Sequence, residues 1–126
     1  MHKSRLGCLV IDCQTEDLDR EASFWSGALG YSARRSENPE DENYRTLKAL
    51  PNEVQMLLQR VDHPSRVHLD IETDDIEAEV ARLEKLGAKT VARIRTWCVM
   101  EAPSGHRFCV VNPQSEDFAE KATEWP

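Results

Sequence analysis

The strongest constraint on this chain is that it nearly repeats itself. Val10-Ile11-Asp12-Cys13-Gln14-Thr15-Glu16-Asp17-Leu18-Asp19-Arg20-Glu21 and His68-Leu69-Asp70-Ile71-Glu72-Thr73-Asp74-Asp75-Ile76-Glu77-Ala78-Glu79 align at a constant offset of 58 residues. Asp12/Asp70, Thr15/Thr73, Asp17/Asp75 and Glu21/Glu79 are identical, and Leu18 answers Ile76. Leu29-Gly30 answers Leu86-Gly87 at an offset of 57. Strand-to-helix junctions favour Thr and Asp on their own account, so the first match has a bland explanation. Equal helix length and a matching terminal glycine make duplication of one structural unit the better one.

Each copy opens with a strand. Leu9, Ile11 and Cys13 alternate with Cys8, Val10 and Asp12, as Val67, Leu69 and Ile71 do with Arg66, His68 and Asp70. Period-two alternation puts each set on one sheet face. The wholly apolar sets are predicted to pack beneath the helix that follows, which turns Asp12, His68 and Asp70 the other way. Thr15 and Thr73 can accept hydrogen bonds from the unpaired N–H groups at the helix starts, and Asp74 with Glu77 is an alternative capping box. Leu18, Ala22, Trp25 and Leu29 form one helical stripe; Ile76, Val80, Leu83 and Leu86 form the other. Gly30 and Gly87 stand where a left-handed residue ends a helix.

Three extended segments are expected after each helix: Tyr31–Arg35, Tyr44–Lys48 and Val54–Arg60, then Thr90–Ile94, Trp97–Glu101 and Arg107–Asn112. Pro103-Ser104-Gly105-His106 makes the last turn, and Asp62-His63-Pro64-Ser65 is the hinge between copies. The chain therefore reads as α+β, with two tandem βαβββ modules at 5–61 and 66–112 inside one domain, 1–113. Residues 114–126 form a polar tail outside the repeat, frayed unless Phe118 and Trp125 dock it.

Composition limits the function classes. A chain of 126 residues with 40% hydrophobic and 31% charged content suits one folded domain. A net charge of −7 argues against a nucleic-acid backbone as partner. No apolar run approaches the roughly 18 residues that a membrane span needs. Without a visible export signal, Cys8, Cys13, Cys98 and Cys109 read as reduced thiols in a cytoplasmic protein.

The order of motifs resembles one known family. Phe24-Trp25-x-x-x-Leu29-Gly30, His68-Leu69-Asp70, Leu86-Gly87 and Pro103-x-Gly105-x-x-Phe108-Cys109-Val110-Val111 look like the glyoxalase/bleomycin-resistance/extradiol-dioxygenase (vicinal oxygen chelate) superfamily, most of all its glyoxalase-like domain branch. The resemblance covers residues 6–112. It implies a curved mixed sheet around a cleft with the helices outside, a small-molecule ligand, and a homodimer. Metal-dependent members hold a divalent cation through His and Glu on the first and fourth strands of each module. Carried over by position, His68 takes one such place, while Val10 and Cys109 fall on others, and the remaining place is Leu57 or Gln59. That set does not suit Mg, Mn or Ni. No cofactor is therefore predicted; the alternative is a divalent metal on His68 with Cys109, such as zinc with Cys8 added.

Alternation and the resemblance together place Cys8, Val10, Asp12, Gln55, Leu57, Gln59, His68, Asp70, Trp97, Val99, Glu101, Arg107 and Cys109 toward the cleft. The complementary Val54, Met56, Leu58, Cys98, Met100, Phe108 and Val110 are apolar and would cover the helices. His68 is the candidate catalytic or ligand-bonding residue, because imidazole changes charge near neutrality. A structural histidine held by Asp12 or Asp70 is the competing role. Asp12, Gln59, Asp70, Trp97, Glu101, Arg107 and Cys109 are the candidate ligand contacts, with Arg107 instead pairing Glu101 as the plainer option. His63 and His106 are expected in exposed turns, and His2 is terminal. The expected function is small-molecule binding. The alternatives are a lyase or isomerase that uses His68 as acid/base, and an accessory module that binds a partner.

Overall fold

The duplication is realised as two β-α-β-β-β units in the computed structural model, which describes residues 1–126. One unit is Cys8–Val67; the other combines Met1–Gly7 with His68–Pro126. The long strand β1 (His2–Gln14) contributes to both.

In the first unit β1 leads to α1 (Leu18–Leu29), β2 (Ser32–Arg34), β3 (Tyr44–Lys48) and β4 (Gln55–Val61). The strand order is β2-β3-β4-β1, with β1 and β4 parallel and the other pairs antiparallel. Ile11 and Cys13 from β1, Leu47 and Leu58 from β3 and β4, and Leu18 and Ala22 from α1 bury one another; Trp25, Tyr31 and Met56 flank them.

The second unit repeats the plan. It has β5 (Arg66–Thr73), α2 (Ile76–Lys85), β6 (Lys89–Ile94), β7 (Trp97–Glu101) and β8 (Arg107–Val111), ordered β5-β8-β7-β6 with β5 and β8 parallel. Val80 and Leu83 of α2 bury against Cys98, Met100, Phe108 and Val110, so the apolar face of these strands is the helix-covered one.

The helix ends follow local chemistry with a small shift. Asp17 and Asp75 are the N-caps, accepting from Arg20 N at 3.1 Å and Ala78 N at 3.0 Å. Thr15 and Thr73 act two residues earlier, accepting from Asp17 N and Asp75 N. The Asp74–Glu77 box does not form, because Asp74 accepts from Lys3 N and Glu77 is held by Arg93. Gly30 and Gly87 adopt φ of 74° and 109°, as a left-handed stop requires.

Several apolar residues expected beneath the helices are exposed. Leu29 and Leu86 end their helices in solvent, and Val54 lies just ahead of β4. Val67 and Leu69 are exposed because α2 leaves the far end of β5 and crosses back over β6, β7 and β8, away from the start of its own strand.

The segment after β8 forms α3 (Phe118–Lys121) and β9 (Thr123–Trp125). Strand β9 pairs antiparallel with the start of β1, His2 opposite Trp125, and Phe118 is buried. Trp125 Nε1 donates to Ser4 Oγ at 2.8 Å, and the Arg82 guanidinium lies 3.8 Å from the centre of the Trp125 ring. Arg82 also forks onto the fully buried Glu79 through two 2.8 Å bonds, and His2 Nε2 meets the same carboxylate at 2.8 Å.

Candidate functional site

Because Ile71 of β5 and the apolar alternates of β8 and β7 pack with α2, the intervening residues share the opposite face. Strand register sorts them into rows. Asp70 lies opposite Cys109, which lies opposite Val99. Arg107 faces Glu101 in the next row, on the His68 side, and Glu72 faces Val111 in the row beyond. Successive rows are about 7 Å apart, two residues of strand rise.

The middle of this face is chemically dense. His68 Nε2 lies 3.3 Å from Asp70 Oδ1, and the two side chains are only 11% and 16% exposed. Cys109 is half-buried beside them, and one donor atom from each of the three lies within 4.8 Å of the others. Arg107 Nε is 3.7 Å from Glu101 Oε1, so the plainer option holds for that pair. Trp97 is on the same face but sits one row beyond Val99, away from Glu101. The structure thus brings His68, Asp70 and Cys109 together, and sets Arg107 with Glu101 one row to one side of the Asp70–Cys109 row and Trp97 one row to the other.

Asp12 and Gln59 belong to the first unit, where Asp12 lies opposite Gln59 and Gln59 opposite Tyr44. Gln59 Nε2 donates to the Tyr44 hydroxyl at 3.1 Å. Asp12 is 2% exposed, with Arg66 Nε at 3.7 Å and His63 Nε2 at 4.0 Å. His63, expected as a free hinge residue, is only 33% exposed here and adjoins a buried carboxylate. A shallow depression lined by Gln14, Thr15, Glu16, Arg20, Glu21 and Val61 holds none of the predicted ligand residues.

Two residues that sequence reasoning passed over shape these faces. Tyr44 extends the Asp12–Gln59 row, and alternation along β3 would have placed it there. Glu72 continues the His68–Asp70 alternation and is 1% exposed. It accepts from Gln114 N at 2.9 Å, Ser115 N at 3.3 Å and the Ser115 hydroxyl, with Arg5 Nε 3.9 Å away. Those bonds fasten the start of the C-terminal segment to the sheet.

The thiols differ in chemical state. Burial, with help from the nearby Glu21 and Asp12 charges, pushes Cys13 up to about 11, so it remains a protonated core residue. Cys98 is fully buried, whereas Cys8 and Cys109 are partly accessible.

The divalent cation implied by the resemblance needs oxygen and imidazole donors from both modules. Val10, at one ligand position, is an apolar residue 2% exposed, and Cys109 puts sulfur where a carboxylate belongs. The residues present do not fit that hard-cation set, and no chemical step is assigned to it.

Comparison with known proteins agrees with this architecture. Residues 8–111 match the sequence family described as glyoxalase-like domain. No curated protein sequence matches the chain. Among solved structures, methylmalonyl-CoA epimerase from Mycobacterium tuberculosis is 19% identical over 90% of this chain and 91% of its own, with a TM-score of 0.62. Streptomyces coelicolor methylmalonyl-CoA epimerase in complex with 2-nitronate-propionyl-CoA is 16% identical over 88% and 98%, at 0.59. A glyoxalase/bleomycin resistance protein/dioxygenase superfamily member from Vibrio splendidus is 22% identical over 85% and 98%, at 0.51. At such identities these structures share the fold. With the βαβββ repeat and a family match over most of its length, the chain belongs to the glyoxalase-like domain family.

Proposed function

We propose that this protein binds a small molecule on the sheet face that carries His68, Asp70 and Cys109. The observation behind this reading is the convergence of an imidazole, a carboxylate and a thiol on half-buried strand positions, with the Arg107–Glu101 pair one row away. A few polar groups held by rigid strands beside apolar Val99 and Val111 are what orient a ligand. Asp12 and Gln59, opposite one another on the first unit's own sheet, are proposed as ligand contacts of that face, and Trp97 as one of the face that carries Cys109. The solved epimerases suggest where to look for the ligand, since one is complexed with a CoA thioester analogue.

The test is a thermal-shift and native mass-spectrometry screen of acyl-CoA thioesters and small oxo-acids. At least one compound should bind, and His68→Ala should weaken it tenfold or more, a loss of about 1.4 kcal/mol. A screen in which nothing binds ends the proposal.

The 3.3 Å approach of Asp70 to the imidazole favours a second reading, in which His68 is the acid/base of a lyase or isomerase. Solvent deuterium should then enter substrate carbon next to a carbonyl, and His68→Ala should stop it while the circular dichroism spectrum is unchanged. Incorporation that survives the substitution excludes this role. Cytoplasmic residence and a homodimer complete the proposal. Four free thiols support the former, and sedimentation of the purified protein as a monomer would remove the latter.

A further inference from the structure

We propose that β2 and β3, the outer two strands of the first unit's sheet, form a clamp for a phosphate-bearing small molecule, with Arg34 and Lys48 as its cations and Ser32 and Thr46 as its hydroxyl donors. The proposal rests on reading the first unit's own sheet face as a ligand surface, and gives that surface a ligand class, a phosphate ester or diphosphate.

Strand register supplies the geometry. Strands β2 and β3 are antiparallel, with Ser32 opposite Lys48 and Arg34 opposite Thr46. These four alternate with Ala33 and Leu47, which pair with each other, and Leu47 is buried in the core beneath α1. Ser32, Arg34, Thr46 and Lys48 therefore share the other face, where Thr46 lies opposite Leu57 and Leu57 opposite Val10. All four are exposed. The block has its cations on one diagonal and its hydroxyls on the other. Diagonal neighbours in an antiparallel pair are about 7–8 Å apart, within reach of long side chains, so a guanidinium and an ammonium can close on one anion.

Charge is the second support. Arg34 and Lys48 have no carboxylate partner, although the connection between β2 and β3 is rich in acid; Asp41 there accepts from the Ser36 hydroxyl at 2.9 Å. The acid on the strands of this face, Asp12, lies two strands from β3 and is met by Arg66 and His63. The second unit carries a compensated version of the same position. Its edge-strand Lys89 lies opposite Glu101, which lies opposite Arg107. In the first unit the corresponding Arg34 lies opposite Thr46, which lies opposite Leu57. Two like charges at diagonal spacing repel, and a dianion between them replaces that repulsion by attraction. The guanidinium fork matches two phosphate oxygens and the ammonium acts as a point charge, with two hydroxyls left for the remaining oxygens. A lone carboxylate, with one charge and two oxygens, would use only half of this donor set.

Inorganic pyrophosphate, a minimal probe of this chemistry, tests the clamp by nuclear magnetic resonance on the isotope-labelled full chain. Amide signals of Ser32–Arg34 and Tyr44–Lys48 should shift in one saturable titration, which the overall field of a chain with net charge −7 opposes rather than favours. Arg34→Gln and Lys48→Gln should each weaken binding by about two- to fivefold, the range for an exposed ion pair, and the double variant by about tenfold. Lys85→Gln removes the same charge from the end of α2 and should leave the affinity unchanged. Should the double variant fail to fold by circular dichroism, the two single variants carry the same expectation. Absence of saturable shifts on β2 and β3, an affinity that neither substitution lowers, an equal loss in Lys85→Gln, or malonate binding as tightly as pyrophosphate each overturns the proposal. An organic compound that Gln59→Ala releases, with no dependence on Arg34 or Lys48, would sink the clamp and leave the ligand surface standing. Pyrophosphate held by the clamp, with no organic compound bound at Asp12 and Gln59, would do the reverse.

Discussion

Glu79 provides the most demanding test of how this fold is held together. Its carboxylate is fully buried on α2 and takes three charge-assisted contacts at 2.8 Å, one from His2 and two from Arg82. Glu79→Gln replaces one acceptor oxygen by an amide NH2 group, a donor that would face the Arg82 or His2 donors. A buried pair broken on one side costs about 3–5 kcal/mol, and hydrogen bonds to charged groups are worth about 1.5–3 each. Arg82 is 24% exposed and recovers some hydration, which lowers the expected loss to roughly 2–4 kcal/mol at pH 7. With a urea dependence of about 2 kcal/mol per molar, the unfolding midpoint should fall by about 1–2 M. Urea titrations followed by tryptophan fluorescence and circular dichroism measure this.

The pH dependence supplies the refutation. Burial alone would push the Glu79 carboxyl up, but bonds from Arg82, His2 and Ser4 outweigh it and hold the group below its ordinary 4.5. The unfolded chain therefore takes up this proton first on acidification, so stability rises with pH across the window. The contribution is complete above 4.5 and disappears as pH falls through the depressed folded value. The gap between native and Glu79→Gln protein should narrow below pH 4.5. A gap that stays constant down to pH 3, or a loss under about 0.5 kcal/mol at pH 7, would refute the assignment.

Two further expectations are simpler. Asp17→Ala and Asp75→Ala each remove an N-cap and should cost about 1 kcal/mol in thermal or urea unfolding, whereas Asp74→Ala should not show a helix-cap loss. A disulfide-exchange reagent at pH 8 should modify Cys8 and Cys109 while Cys13 and Cys98 stay protected until unfolding; rapid modification of Cys13 would contradict its burial and its thiol pushed up to about 11.

Much of the architecture could be read in the residues because it depends on short-range periodicity. Alternation along β1, β7 and β8 separated the helix-covered faces from the polar ones, on β5 it did so only at Ile71, and Gly30 and Gly87 marked both helix stops. The caps were displaced by two residues because Thr and Asp occur together at each junction and only the backbone path decides which side chain reaches the N2–N3 amides. Of the candidate site, the face was legible and the grouping was not. Trp97 and Glu101 share alternation parity with Cys109, yet register places Trp97 on the far side of it from Glu101, and no local pattern sets the register between strands distant in sequence.

Sequence alone determined the duplicated unit, its element order and the sidedness of its strands, since these follow from dihedral preference and side-chain period within a few residues. Tertiary structure alone decided what the repeated residues experience. Glu21 and Glu79 occupy the same place in the repeat, but only Glu79 is sealed from solvent. The start of β1, carrying His2, and the C-terminal β9, carrying Trp125, meet over its helix alone, and burial is set by what the rest of the chain lays on top.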